Sequence, residues 1–172
     1  MHERPQDLED LQRVIDDSYR CAGPHLLGIS TPERRLDATE LAAQLTGMRL
    51  LALATVTRDG RPINGPVDGV FYRGRFHFGS AHTSLRRRHL SERTAVSATH
   101  LPGESFAVTV HGDAEFIDTA APEYAEFRQT LLDIYTPRFG QEWADMLDDG
   151  SAWYARINPR RVFTFWMPEL DS

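Results

Sequence analysis

Near the N-terminus apolar residues return on a helical period. Leu8, Leu11, Ile15 and Tyr19 recur at spacings of three and four and form one stripe. The pattern predicts a short amphipathic helix ended by Gly23-Pro24, because proline lacks an amide donor and restricts the residue before it. Thr31-Pro32-Glu33 reads as a short turn with proline at a first helical position. Asp37, followed three residues later by Glu40, has the logic of a capping box and predicts a helix through Leu41 and Leu45, with Gly47 as its terminator.

After Met48 the period changes to two. Residues 50–57 are apolar almost throughout, which predicts a strand covered on both faces. Asp59-Gly60 signals a tight turn into a strand over 62–72, interrupted by Gly65-Pro66, and Arg73-Gly74 turns the chain into a third strand at 75–78. A short helix fits 84–91 and a strand fits 94–99. The cleanest alternation follows: Phe106, Val108, Val110, Ala114 and Phe116 on one side, Ser105, Thr109, His111, Asp113 and Glu115 on the other. Gly112 inside that run signals a bulge or a close backbone approach. Helical patterns at 122–135 and 142–147 precede a last strand over 153–166, bent at Asn158-Pro159. Few helices among mainly antiparallel strands point to a β-barrel or sandwich with flanking helices.

Composition narrows the class. The chain has 172 residues, 41% hydrophobic and 26% charged, which suits one domain with a core of its own. No apolar run approaches the roughly 20 residues that span a bilayer, and the charged N-terminus lacks the apolar stretch of a signal peptide. Cys21 is the only cysteine, so no intrachain disulfide forms and a reducing, cytoplasmic setting is expected. A net charge of −6 argues against a nucleic-acid partner. No His-Glu-x-x-His or paired-cysteine spacing occurs, and His82, His89 and Glu92 share a helix face only if that helix starts early, so no metal site is expected. The chain has no Gly-x-Ser-x-Gly elbow, P-loop or dinucleotide fingerprint either.

Two segments carry a resemblance. Arg75-Phe76-His77-Phe78-Gly79-Ser80, continuing through Ser84-Leu85-Arg86-Arg87 to Leu90, is similar to the strand, turn and helix start of the pyridoxamine 5′-phosphate oxidase-like split-barrel family. Ser80 stands in the place of that family's threonine, Ser84 in that of its serine, Leu85 where it has arginine and Arg86 where it has lysine. The second segment, from Tyr154 to Trp166, resembles the family's closing strand, with one extra residue before Arg156 and one before Phe165. Gly112-Asp113-Ala114-Glu115 and the hairpin around Asp59-Gly60 fit the same pattern.

The resemblance implies an antiparallel Greek-key split β-barrel of about six strands, with residues 1–47 as a helical extension packed on the barrel or on a partner subunit. It also implies a homodimer with FMN in a cleft between subunits and an oxidoreductase that exchanges hydride with a small organic substrate. The deazaflavin coenzyme and haem are the alternatives among relatives, as is a non-catalytic cofactor-binding protein. The chain lacks the Arg-x-x-Leu-Leu-Lys pattern of the authentic oxidases in its second strand. It also lacks their Arg-Leu-His segment after Trp166, so oxidation of pyridoxamine phosphate itself is not expected.

A dianionic phosphate wants cations and aligned N–H donors, which a strand-end turn, a capping serine and a helix N-terminus supply. The expected phosphate site is therefore Ser80, Ser84, Leu85, Arg86 and Arg87, with Arg86 as the first guanidinium and Arg87 the second. The ring is expected against the backbone of Pro66, Val67 and Asp68, where Gly65 and Gly69 permit close approach. Trp166 would reach it from the partner subunit, or else close the barrel as a core tryptophan. His77 and His111 are conceivable proton donors, with a structural role the alternative for each, and no catalytic acid or base is assigned.

Overall fold

The structure is a computed structural model and describes residues 1–171. All the expected strands form: β1 (Met48–Val56), β2 (Pro62–Tyr72), β3 (Arg75–Ala81), β4 (Ala95–His100), β5 (Phe106–Ile117) and β6 (Ala152–Trp166). They close into an antiparallel barrel in the order β1-β2-β3-β6-β5-β4, with β4 returning to β1. The step from β3 to β4 crosses the barrel through a helix, and β5 and β6 are neighbours joined by a helical excursion. Strand alternation sends Leu51, Leu53, Phe71, Phe76, Phe78, Val108, Ile157 and Val162 inward as the main core. Each such side chain contributes about 1.5–3 kcal/mol by leaving water.

Three helices precede the barrel: α1 (Pro5–Arg20), α2 (Pro24–Ile29) and α3 (Ala38–Gln44). Gly23-Pro24 does end α1, but Pro24 also opens α2, since a missing N–H costs nothing at a first helical position. Helix α1 is tied to β6 by polar groups as well as by its apolar stripe. The amide of Val162 donates to Ser18 Oγ at 2.9 Å, and Tyr19 Oη accepts from the amide of Thr164 at 2.9 Å while donating to its carbonyl at 2.7 Å. The Asp37 capping box is present, with Glu40 N donating to Asp37 Oδ1 at 2.8 Å and Asp37 N to Glu40 Oε2 at 2.9 Å.

Two expectations need correction. Strand β1 is not covered on both faces within the chain. Leu51, Leu53 and Thr55 are buried, whereas Leu50 and Ala52 on the opposite face are exposed. The helix expected over 122–135 begins as a 3₁₀ turn (Pro122–Tyr124) and continues as α5 (Ala125–Phe139), followed by α6 (Gln141–Asp148).

The irregularity of the closing strand has a physical cause. Gly112 pairs with Pro159 and His111 with Arg161, so Arg160 is bulged out of the ladder. A Cβ at Gly112 would collide with the carbonyl oxygen of Asn158. The glycine thus marks both a bulge and a close approach. Helices α5 and α6 lie over the outer face of β2, β3 and β6. They form a second core in which Phe127, Leu131, Tyr135 and Leu147 pack on Val70, Tyr72 and Tyr154. No helix among the described residues is long and apolar enough to cross a membrane.

Candidate functional site

Between that helical layer and the barrel lies a cavity of about 330 Å³. Its floor is the outer face of three strands, where alternation places Asp68 and Val70 on β2, His77 and Gly79 on β3, and Tyr154 on β6. Gly79 is needed there. A Cβ would sit 2.8 Å from Tyr154 Cε1 and 2.9 Å from the carbonyl oxygen of Trp153, so the tyrosine ring takes the space of a side chain at 79. The roof is Leu131 and Tyr135 of α5 with Trp143 and Met146 of α6. Tyr135 and Trp143 stack with ring centroids 4.6 Å apart and planes at 19°.

Burial dominates the electrostatics of the cavity. Desolvation pushes the His77 pKa down to about 3, against a smaller opposing effect from the bond between its Nδ1 and the Arg75 carbonyl at 3.1 Å. The ring is therefore neutral at physiological pH and is clasped by Phe127, with centroids 4.4 Å apart. Burial, aided by the Asp68 carboxylate, pushes Tyr154 up to about 12 and also raises Tyr135.

The chain leaves the cavity at Ala81 and enters helix α4 (Leu85–Glu92) four residues later. Trp153 Nε1 donates to the Ala81 carbonyl at 2.9 Å and fixes this exit, and Ser84 N donates to the same oxygen at 3.0 Å. Ser84 is the N-cap of α4, its Oγ accepting from the amide of Arg87 at 3.3 Å. The first turn carries two half-buried guanidinium groups with different surroundings. Arg86 Nη2 donates across to the carbonyls of Pro66 and Gly65 at 3.3 and 3.5 Å, and burial lowers its pKa. Arg87 lies 5.7 Å over the Phe116 ring. Its guanidinium has no acceptor among the described residues, and its Nε is buried. Arg88 and Leu85 are exposed.

The structure thus brings Asp68 and Ser80 to one cavity and places Ser84, Arg86 and Arg87 just beyond its edge. Pro66 meets Arg86 through its carbonyl, while the Val67 side chain points into the barrel core and leaves only backbone to the outer face. Trp166 does not line the cavity of its own chain. It packs against the barrel core with its ring edge-on to Phe106, centroids 5.8 Å apart. His111 is exposed on β5 and bonded to Ser97 Oγ at 2.8 Å, away from the cavity. His89 is bonded to Thr55 Oγ1 at 3.0 Å and His82 to the Gly150 carbonyl at 2.9 Å; the described residues hold no cluster of three metal-ligating side chains.

Sequence reasoning did not single out Tyr135, Trp143 or Tyr154 as walls of a site. Their helical and strand periods were visible, but which outer surface the two helices would cover was not.

The family model of pyridoxamine 5′-phosphate oxidase matches residues 38–165. Among solved structures, a conserved hypothetical protein (Rv2991) from Mycobacterium tuberculosis superposes with a TM-score of 0.66 at 20% identity, covering 82% of this chain and 91% of that one. HutZ, a haem storage protein from Vibrio cholerae, gives 0.61 at 18% identity over 76% and 94%. An FAD-binding protein from Mesorhizobium loti gives 0.56 at 20% identity over 76% and 93%. A search of curated protein sequences finds no match. With the family model spanning most of the barrel and the same fold recurring in these structures, the chain belongs to the pyridoxamine 5′-phosphate oxidase family of split β-barrel proteins.

Proposed function

We propose that the protein is a cytoplasmic homodimer that binds flavin mononucleotide and works as an oxidoreductase on a small organic substrate. The observation that carries the reading is Arg87, a half-buried guanidinium without an acidic partner among the described residues, on the first turn of a capped helix. A partly desolvated cation without a counter-charge is unfavourable, and an arriving phosphate dianion relieves it. The first amides of α4 add donors that lack helical partners. Arg86 is the second cation, since its bonds to the Pro66 and Gly65 carbonyls are long ones. Ser80 and Ser84 supply hydroxyls, and Leu85 flanks them.

The ring would then lie along the backbone of Pro66, Val67 and Asp68 toward the cavity, with Trp166 offered by the partner subunit. When bound, a flavin supplies hydride chemistry at its ring. The residues of this chain bind and orient it, and α5 and α6 keep bulk water from the Tyr135–Tyr154 side. His77, held neutral by burial, is not the acid of the reaction near neutral pH. The family match and the flavin-binding neighbour support this choice of cofactor.

The test is the visible spectrum of the purified protein, mass spectrometry of any released ligand, and titration with FMN. Arg87→Ala is expected to weaken FMN binding by about 1.5–3 kcal/mol, the range for a charged hydrogen bond, with Arg88→Ala as the neutral control. Wild-type affinity in Arg87→Ala would remove that residue from the site. A shorter-wavelength band from a deazaflavin would keep the phosphate site and change the ring. A Soret band would replace the flavin reading with haem binding, the ligand of the Vibrio haem storage protein.

A further inference from the structure

The cavity under α5 and α6 has a chemistry that phosphate binding does not use. No arginine or lysine lines it, and its one histidine is neutral, so the charge on its lining is that of Asp68 alone. The Asp68 carboxylate, exposed at the cavity edge, makes no ion pair or hydrogen bond among the described residues. Tyr135 and Tyr154 are only 6% and 8% exposed, and neither hydroxyl has a hydrogen-bond partner among the described residues. Both hydroxyl oxygens stay accessible, in side chains that line the cavity, and can hydrogen-bond an occupant. The remaining walls are largely aromatic and aliphatic, led by the Tyr135–Trp143 stack. Aromatic faces beside an unpaired carboxylate are the surroundings that favour an organic cation and disfavour an anion.

We propose that this cavity binds a small aromatic amine in its cationic form, the ring held by the Tyr135–Trp143 wall and Tyr154 and the ammonium directed to Asp68. The inference rests on the flavin reading only in making that amine the substrate; the binding itself stands on the cavity alone.

Three probes of one shape separate the possibilities by calorimetry on the purified full chain: benzylamine as the cation, benzyl alcohol as the neutral form and benzoate as the anion. Benzylamine is expected to bind up to about five-fold more tightly than benzyl alcohol, the upper range for a partly exposed ion pair, with benzoate weakest. The preference should shrink with added salt. Asp68→Asn should erase it while benzyl alcohol still binds, which doubles as the check on folding, and Tyr135→Phe should weaken all three probes. Benzoate binding as well as benzylamine, or an unchanged preference in Asp68→Asn, would overturn the proposal. FMN titration is a separate readout. FMN binding without an amine preference sinks this inference alone, and an amine preference without FMN binding supports it and sinks the cofactor reading alone.

Discussion

His77 shows how much a single side chain can tie stability to pH. Its pKa falls from 6.5 to about 3 because the folded chain buries the ring against Phe127. A depressed folded value means that the fold favours the neutral ring. The stability this contributes is complete above pH 6.5 and is lost as pH falls from there toward 3. In His77→Gln no such proton is taken up. The stability gap between wild type and variant should therefore narrow by about 1.4 kcal/mol per pH unit across that window. Urea midpoints at pH 7, 5.5 and 4 measure it, and parallel curves would show that the ring is not buried as described.

Legibility at this scale follows what a residue does to its own backbone. Gly112 was readable because a glycine inside a clean alternation has few other uses, and the collision awaiting a Cβ there confirms it. The ranking of Arg86 above Arg87 was a matter of resemblance. The structure gives Arg86 two backbone acceptors and leaves Arg87 with none, a difference set by the position of β2 that no local pattern encodes.

At the scale of elements, helix α4 is the part whose sequence logic and proposed chemistry coincide. Ser84 satisfies one amide of the first turn, so Ser84→Ala should lower stability by about 1 kcal/mol. Ser84→Asp separates cap from cofactor. Aspartate caps as well as serine and suits the helix dipole, so stability should hold, while its negative charge should cut FMN affinity. Thermal melts with parallel FMN titrations read the two effects, and undiminished FMN affinity in Ser84→Asp would move the phosphate elsewhere. The strands were legible to within a few residues because period-two patterns and turn residues report directly on backbone. The helices α5 and α6 were legible as helices but not as a roof. Their second core depends on Val70, Tyr72 and Tyr154 emerging on the same outer face, which becomes known only once the barrel closes in the order β2-β3-β6.

At the scale of the whole molecule, the uncovered face of β1 remains to be accounted for. The sequence expectation that both faces are covered fails within one chain, where Leu50 is 57% exposed and Ala52 next to it on that face is exposed too. Leu50 pairs with Asp68 and Ala52 with Pro66 and Thr99, so this apolar stretch borders the strand against which the ring is proposed to lie. A second copy seated there would cover the leucine and complete the cleft that Trp166 is proposed to enter. A stable pairing buries at least about 1,200 Å² in all, and a charge at its centre is poorly tolerated. Ala52→Glu places a carboxylate in the middle of the face without touching the barrel interior. Wild type is expected to elute in gel filtration at twice the mass of the chain, and Ala52→Glu at the mass of one chain with an unchanged circular dichroism spectrum. The variant should also bind FMN more weakly than wild type, because half of the cleft is gone. A monomeric wild type that binds FMN with full affinity would show that one barrel suffices and that the exposure of Leu50 has another meaning.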